Sequence, residues 1–175
     1  MFKEERGAAL FEWSMIGDIG EGRPNLGPTM DVAVYRLMQF TMRDVLIARY
    51  GVEAADIVLY TAGELAGKEF CKALIEPGLD LRAFLQQVQT QLETLKIGIL
   101  RVERFDLDTM EGAVTVAEDL DCSGLMVCEE TICTYDEGFL SGLMSQYTGI
   151  PFTATEVDCW CSGDRVCRFE IHPAS

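Results

Sequence analysis

The sequence predicts an α+β fold in which a helical layer packs on one face of an antiparallel sheet. Three observations carry that prediction. Apolar residues recur at helical spacing from about residue 31 to residue 95. From Ile97 the pattern changes to period two, the signature of half-buried strands. One more helix then precedes a final hairpin, and helices followed by late antiparallel strands point to segregated layers. At 175 residues, 49% of them hydrophobic, the chain is expected to form one domain over residues 1–175, with residues 1–28 as an N-terminal segment and loop.

The elements follow in order. Residues 9–13 read as a short edge strand or a helical turn, and residues 17–28, rich in glycine and proline, as one flexible loop. A first helix is expected over residues 31–50, capped by Thr29 or Asp31 and stopped by Gly51. Arg36, Gln39 and Arg43 mark a narrow polar stripe on it. Because the rest of its circumference is largely apolar, burial on two sides is expected. A second helix spans about 54–75, where Ala62-Gly63 and Ala66-Gly67 place small residues on one face. Each glycine costs an isolated helix about 1 kcal/mol against alanine, so close approach of another backbone or a ligand is the expected compensation. Asp80 caps a third helix over 81–95 with a stripe of Leu81, Phe84, Leu85, Val88, Leu92 and Leu95.

Strands are then expected at 97–105 and 113–118, with a further one at 125–129 that would bury Cys128 in the core. Thr134-Tyr135-Asp136-Glu137 fits a capping box, Thr134 as N-cap and Glu137 reaching back, for a helix that Gly149 and Pro151 end. Strands at 152–160 and 165–171 close the chain.

Fourteen basic against 29 acidic residues give a formal charge of −15. Such a surface repels phosphate backbones and anionic lipid, so neither direct nucleic-acid binding nor membrane association is expected. No segment has the apolar length to cross a bilayer. The charged start, Met1-Phe2-Lys3-Glu4-Glu5-Arg6, leads into no signal-peptide core, and a cytoplasmic location is expected.

Six of the seven cysteines lie in the last third of the chain. In a reducing compartment such clustering points to metal or redox chemistry before structural disulfides. If three residues loop out at the turn around Gly163, Cys159 faces Cys167 across the hairpin with β-carbons roughly 5 Å apart. With Cys133 before a helix N-terminus and Glu156 opening the hairpin, the set Cys133, Glu156, Cys159 and Cys167 suits structural, tetrahedral zinc with no open position for catalysis. A Cys159–Cys167 disulfide and Cys161 as a competing ligand are the alternatives.

The block Cys133-x-x-x-Glu137-Gly138-Phe139-x-x-Gly142, then Tyr147-x-Gly149, then Glu156-x-x-Cys159-x-x-x-Gly163-Asp164-x-x-Cys167, resembles the 4-vinyl reductase domain family. Tyr60-x-Ala62-Gly63-x-x-x-Gly67 is similar to that family's glycine-bearing helix. The resemblance runs from about Gly27 onward. It implies a fold shared with subunits of the vesicle-tethering TRAPP complex and with haem-based NO sensors, often dimeric, with an apolar pocket between the layers. In sensor members zinc is held by residues matching Cys133, Glu156, Cys159 and Cys167. Phenol-sensing members use a histidine and a tryptophan for the ligand hydroxyl. The one histidine here, His172, falls at the chain's end, where a solvent-exposed position is expected. That departs from the phenol pattern and from axial haem ligation alike.

The leading functional expectation is a stand-alone binding or sensor domain for an apolar or aromatic, hydrocarbon-like ligand. Tyr35, Met38, Phe40 and Gly63 are the first candidates for the pocket wall. A separate signalling or enzyme partner would carry any response. The reading leans against catalysis, because no dinucleotide fingerprint, flavin motif or nucleophile–histidine pair is found. Two alternatives follow from the resemblance and from the first helix: an accessory protein delivering substrate for reduction of a tetrapyrrole vinyl group, and a homodimeric assembly module.

Overall fold

The structure, a computed structural model, describes residues 3–174. Its N-terminal segment holds a 3-10 turn at Trp13–Ile16 and one helical turn, α1 (Ile19–Gly22), where the Asp18 carboxylate accepts from Glu21 N–H. Residues 17–28 are therefore not a single loop. A carboxylate in place to meet an orphan N–H is enough to close one turn.

Asp31 accepts from Ala33 N–H and starts α2 (Val32–Tyr50). Gly51, at φ +86°, turns the chain directly into α3 (Val52–Leu74). Asp80 caps α4 (Leu81–Thr94) through Ala83 N–H. Then come β1 (Ile99–Phe105), β2 (Gly112–Ala117), α5 (Thr134–Thr148), β3 (Phe152–Asp158) and β4 (Cys167–Pro173). The four strands form one antiparallel sheet in the order β1-β2-β4-β3. Phe84, Val88 and Leu92 of α4, Leu140, Leu143 and Met144 of α5, and Val114, Val116, Phe169 and Ile171 of the sheet share the core. The predicted class is the one observed.

What brings α5 onto the sheet is its packing against α3. A β-carbon on Gly63 or Gly67 of α3 would collide with the carbonyl of Tyr135 or Phe139, and one on Gly138 or Gly142 of α5 with that of Tyr60 or Glu64. The four glycines interlock, so each helix lies in the groove of the other. Ser141 joins this pair to the sheet: its hydroxyl donates to Glu137 O and accepts from Tyr60 O–H and from Ala154 N–H of β3.

Four sequence expectations change. No residue of α2 is buried, because its polar stripe is the side turned inward: Arg36 donates to Leu120 O and Ser123 O, Gln39 to Asp121, and Arg43 pairs with Asp56. Residues 125–129 form no strand, and Cys128 is exposed. That loop is pinned to the hairpin turn, with Cys128 N–H and Glu129 N–H both donating to Cys161 O. The capping box at α5 is absent, since Cys133 is the N-cap and the Glu137 carboxylate accepts from Glu156 N–H instead. A strand N–H without a ladder partner has drawn that carboxylate away from the helix terminus. Finally, His172 is half-buried in β4, paired with Thr153, where a solvent-exposed position was expected.

Candidate metal centre and the cavity beside it

Four cysteines from four different parts of the chain meet under the first turn of α5. Cys133 caps that helix. Cys159 follows β3 and Cys167 begins β4, where the last pair before the turn is Asp158 with Arg168. Cys122 comes from the turn after β2, which Asp119 Oδ1 shapes by accepting from Asp121 N–H and Cys122 N–H. All four are buried, and all seven cysteines of the chain are free thiols. The Sγ atoms of Cys122, Cys133, Cys159 and Cys167 lie within 4.8 Å of one another, a set that could hold a metal ion.

The spacing suits that role. Tetrahedral Zn–S bonds of about 2.3 Å place neighbouring sulfurs roughly 3.8 Å apart. Cys133 Sγ is 3.9 Å from Cys159 Sγ and 3.7 Å from Cys167 Sγ, while Cys122 and Cys167 stand closer, at 3.0 Å. Four such thiols cannot all ionise by themselves. Contacts with the other thiols, and burial, hold Cys133 and Cys167 well above the ordinary thiol value. S–H donors from Cys122, Cys133 and Cys167 converge on Cys159 and lower it, so its proton leaves first. A cation at the centre would deprotonate the rest.

Three residues of the expected set, Cys133, Cys159 and Cys167, are thus brought together. Glu156 stands at their edge. Its place in β3 turns it inward with Phe152 and Ala154, and its Oε2 accepts from Cys133 N–H at 3.1 Å. Its Oε1 is buried without a partner, and burial pushes its carboxyl up to about 8. The sequence reading gave Cys122 no role. The turn sequence Asp119-x-Asp121-Cys122 directly after a strand was the available signal. Cys161, the competing candidate, is buried but outside the cluster; burial raises its thiol to about 12.

Beside the cluster lies an apolar cavity of about 310 Å³. Phe11, Trp13 and Ile16 roof it, Phe70 of α3 and Phe139 of α5 form a wall, and Tyr35, Asp121, Tyr135 and Asp136 make its polar end. Phe70 meets Trp13 and Phe139 edge-on, with centroids 6.3 and 5.1 Å apart. The roof is tied down by Glu69, which accepts from Trp13 N–H and pairs with Lys72. A larger groove of about 870 Å³ between α4 and β1 is open at the surface and shares no residue with the cluster.

Of the four pocket candidates only Tyr35 lines this cavity. Met38 is 59% exposed on the outer side of α2. Phe40 is half-buried away from the wall. Gly63 is filled by the backbone of α5. The reason is the inverted orientation of α2, which sends its apolar residues outward.

Fold and site together define an α+β domain with helices over one antiparallel sheet and a buried four-thiol cluster where the last helix meets the terminal hairpin. Residues 113–173 match the 4-vinyl reductase domain family, so the resemblance read from the cysteine block holds. Two uncharacterized proteins of Methanocaldococcus jannaschii are 24% and 25% identical over 147 residues, 83% of this chain and 80% and 78% of theirs. Among solved structures, a vinyl-4-reductase family protein of the same organism superposes with a TM-score of 0.61 at 18% identity, covering 97% of this chain and 100% of its own. The phenol-responsive sensory domain of the transcription activator PoxR, solved with phenol, gives 0.68 at 16% identity over 82% of this chain and 75% of that one. A trafficking protein particle complex subunit 3 from Naegleria fowleri, covalently bound to palmitic acid, gives 0.65 at 11% identity, covering 82% and 95%. No helix among the described residues is long and apolar enough to cross a membrane.

Proposed function

We propose that this chain is a small-molecule-binding sensor domain, with zinc as a structural clasp and the aromatic-walled cavity as the ligand site. The observation that carries the reading is the cavity itself. At about 310 Å³ it is roughly twice the volume that holds a benzene in a protein core, and aromatic rings from the N-terminal segment, α3 and α5 close around it. Two proteins of the same fold are described with apolar molecules bound, phenol in one and palmitic acid in the other.

Zinc fits the donor set: four buried sulfurs at near-tetrahedral spacing, with no position left for water. Bound there, it would supply folding free energy and no Lewis-acid chemistry. Cys133 begins α5, and Tyr135 and Asp136, one and two residues beyond Thr134, line the cavity. The clasp therefore fixes the helical turn that forms the cavity's polar end. A ligand pressing on that turn has a rigid path to the terminal hairpin. Native mass spectrometry of protein from its own host, with a thermal-shift panel of aromatic and lipid molecules, tests the reading. A bound small molecule or a stabilising panel member is expected; no binder in either assay overturns it.

A second reading is assembly with a second copy of the chain. Val34, Leu37, Met38, Met42 and Val45 form an exposed apolar stripe at helical spacing on α2, opposite the polar residues that bind the rest of the molecule. The stripe is the surface on which a self-complementary helix pair could form. Sedimentation that shows a dimer, lost in Leu37→Lys, supports it; a monomer at high concentration removes it.

A further inference from the structure

The polar end of the cavity asks for one kind of ligand group. Its wall contains two carboxylates, Asp121 and Asp136, and no basic side chain. Asp121 is occupied: Oδ1 accepts from Tyr35 O–H at 2.8 Å and Oδ2 from Gln39 Nε2 at 2.5 Å. Asp136 is not. It lies deep in the protein, lines the cavity, and its buried Oδ2 meets no donor. The second unpartnered oxygen of this region is Oε1 of Gln39, the residue whose amide holds Asp121. Both orphans are acceptors. Arg36, the nearest guanidinium, is engaged by the carbonyls of Leu120, Asp119 and Ser123. Leaving buried acceptors unmet is costly, and a buried carboxylate without a cation more so. An anion would be repelled here, and a pure hydrocarbon would leave the oxygens as they are.

We propose that the cavity takes an apolar amine, its ammonium donating to Asp136 beside Asp121 and its ring-sized body lying against Trp13, Phe70 and Phe139. This deepens the sensor reading and rests on it. The three N–H donors of a primary ammonium match the donor demand of the site. The aromatic wall supplies the apolar contact, and the volume leaves room for a body of one or two rings.

The test is calorimetric titration of the purified, metal-loaded chain at pH 7 with 2-phenylethylamine, 2-phenylethanol, ethylbenzene, 3-phenylpropionate and ammonium chloride. The amine is expected to bind at least about tenfold more tightly than ethylbenzene or the carboxylate, as a charge-assisted hydrogen bond would give. Asp136→Asn should remove that advantage while leaving ethylbenzene binding unchanged, with melting temperature and metal content confirming the fold. Asp121→Asn serves if the first variant fails to fold. Equal affinity for amine and ethylbenzene overturns the amine assignment and leaves the sensor reading standing, as does amine binding that survives both substitutions. Equal stabilisation by ammonium chloride overturns it as well, since the apolar body is then unread. Binding by none of the five removes the amine assignment and the cavity as a site for ring-sized ligands.

Discussion

At the scale of single residues, Cys122 and Glu156 compete for the fourth place around a metal. Spacing made Cys133, Cys159 and Cys167 legible, because a hairpin opposes its flanking residues and a cysteine before a helix is a recognisable donor. Cys122 was not legible, since only the folded turn after β2 carries it under α5. Glu156 has another task that sequence could not show, accepting the otherwise orphaned N–H of Cys133 at the helix start. An amide oxygen can still accept that bond. Cys122→Ser is therefore expected to abolish metal binding, and Glu156→Gln to keep about one metal per chain, read by elemental analysis under reducing conditions. The opposite pattern would restore the carboxylate as the ligand. Glu69 gives a pH prediction at the same scale. Its hydrogen bond from Lys72, with that from Trp13 N–H, lowers its carboxyl against the desolvation that opposes them. A lowered folded value means that this stabilisation is full above the ordinary glutamate range, about pH 4, and is lost as pH falls through the folded value. Trp13 fluorescence in a Trp160→Phe background should report release of the cavity roof in acid. In Glu69→Gln that transition should vanish.

Among elements, the contact of α3 with α5 shows how far a pattern can be read. Small residues at helical spacing promised a close approach, and the partner proved to be a helix with glycines of its own. Only the α3 half was anticipated from spacing, because nothing in the pattern says which backbone fills a groove. The sign of one substitution decides whether the approach is as tight as it looks. Alanine in an open helix gains about 1 kcal/mol over glycine. Against a backbone carbonyl that cannot move aside, the added methyl should cost about 1–3 kcal/mol. Gly67→Ala is expected to destabilise, measured by urea denaturation, whereas Gly22→Ala, with open space around it, should be near neutral. Stabilisation by Gly67→Ala would mean that the helices stand further apart. The same limit explains α2. Its amphipathic period was correct, yet its orientation was inverted, since three polar side chains find carbonyls and carboxylates on the inner side. Periodicity locates a face but does not say which face is inside when the inner surface is itself polar.

For the whole molecule, the order of elements was legible because hydrophobic period and caps are local, and Asp31 and Asp80 cap the helices assigned to them. The segments missed are those whose structure depends on distant partners: residues 125–129 held by Cys161 O, and Glu137 drawn to β3. Both lie around the cysteine cluster, where the turn after β2, the start of α5 and the terminal hairpin converge without regular structure to join them. A metal there would connect parts of the chain far apart in sequence, so its binding energy would count toward global stability and not toward one loop. At a free concentration about a thousandfold above the dissociation constant, binding adds about 4 kcal/mol. For a chain of this size each kcal/mol moves the melting point by about 2–4 °C. Chelation is therefore expected to lower the melting temperature by roughly 8–16 °C, and stoichiometric zinc to restore it. Calorimetry should show the same loss in Cys133→Ser, with no further response to chelator. A chelator shift that persists in that variant would place the metal elsewhere in the chain.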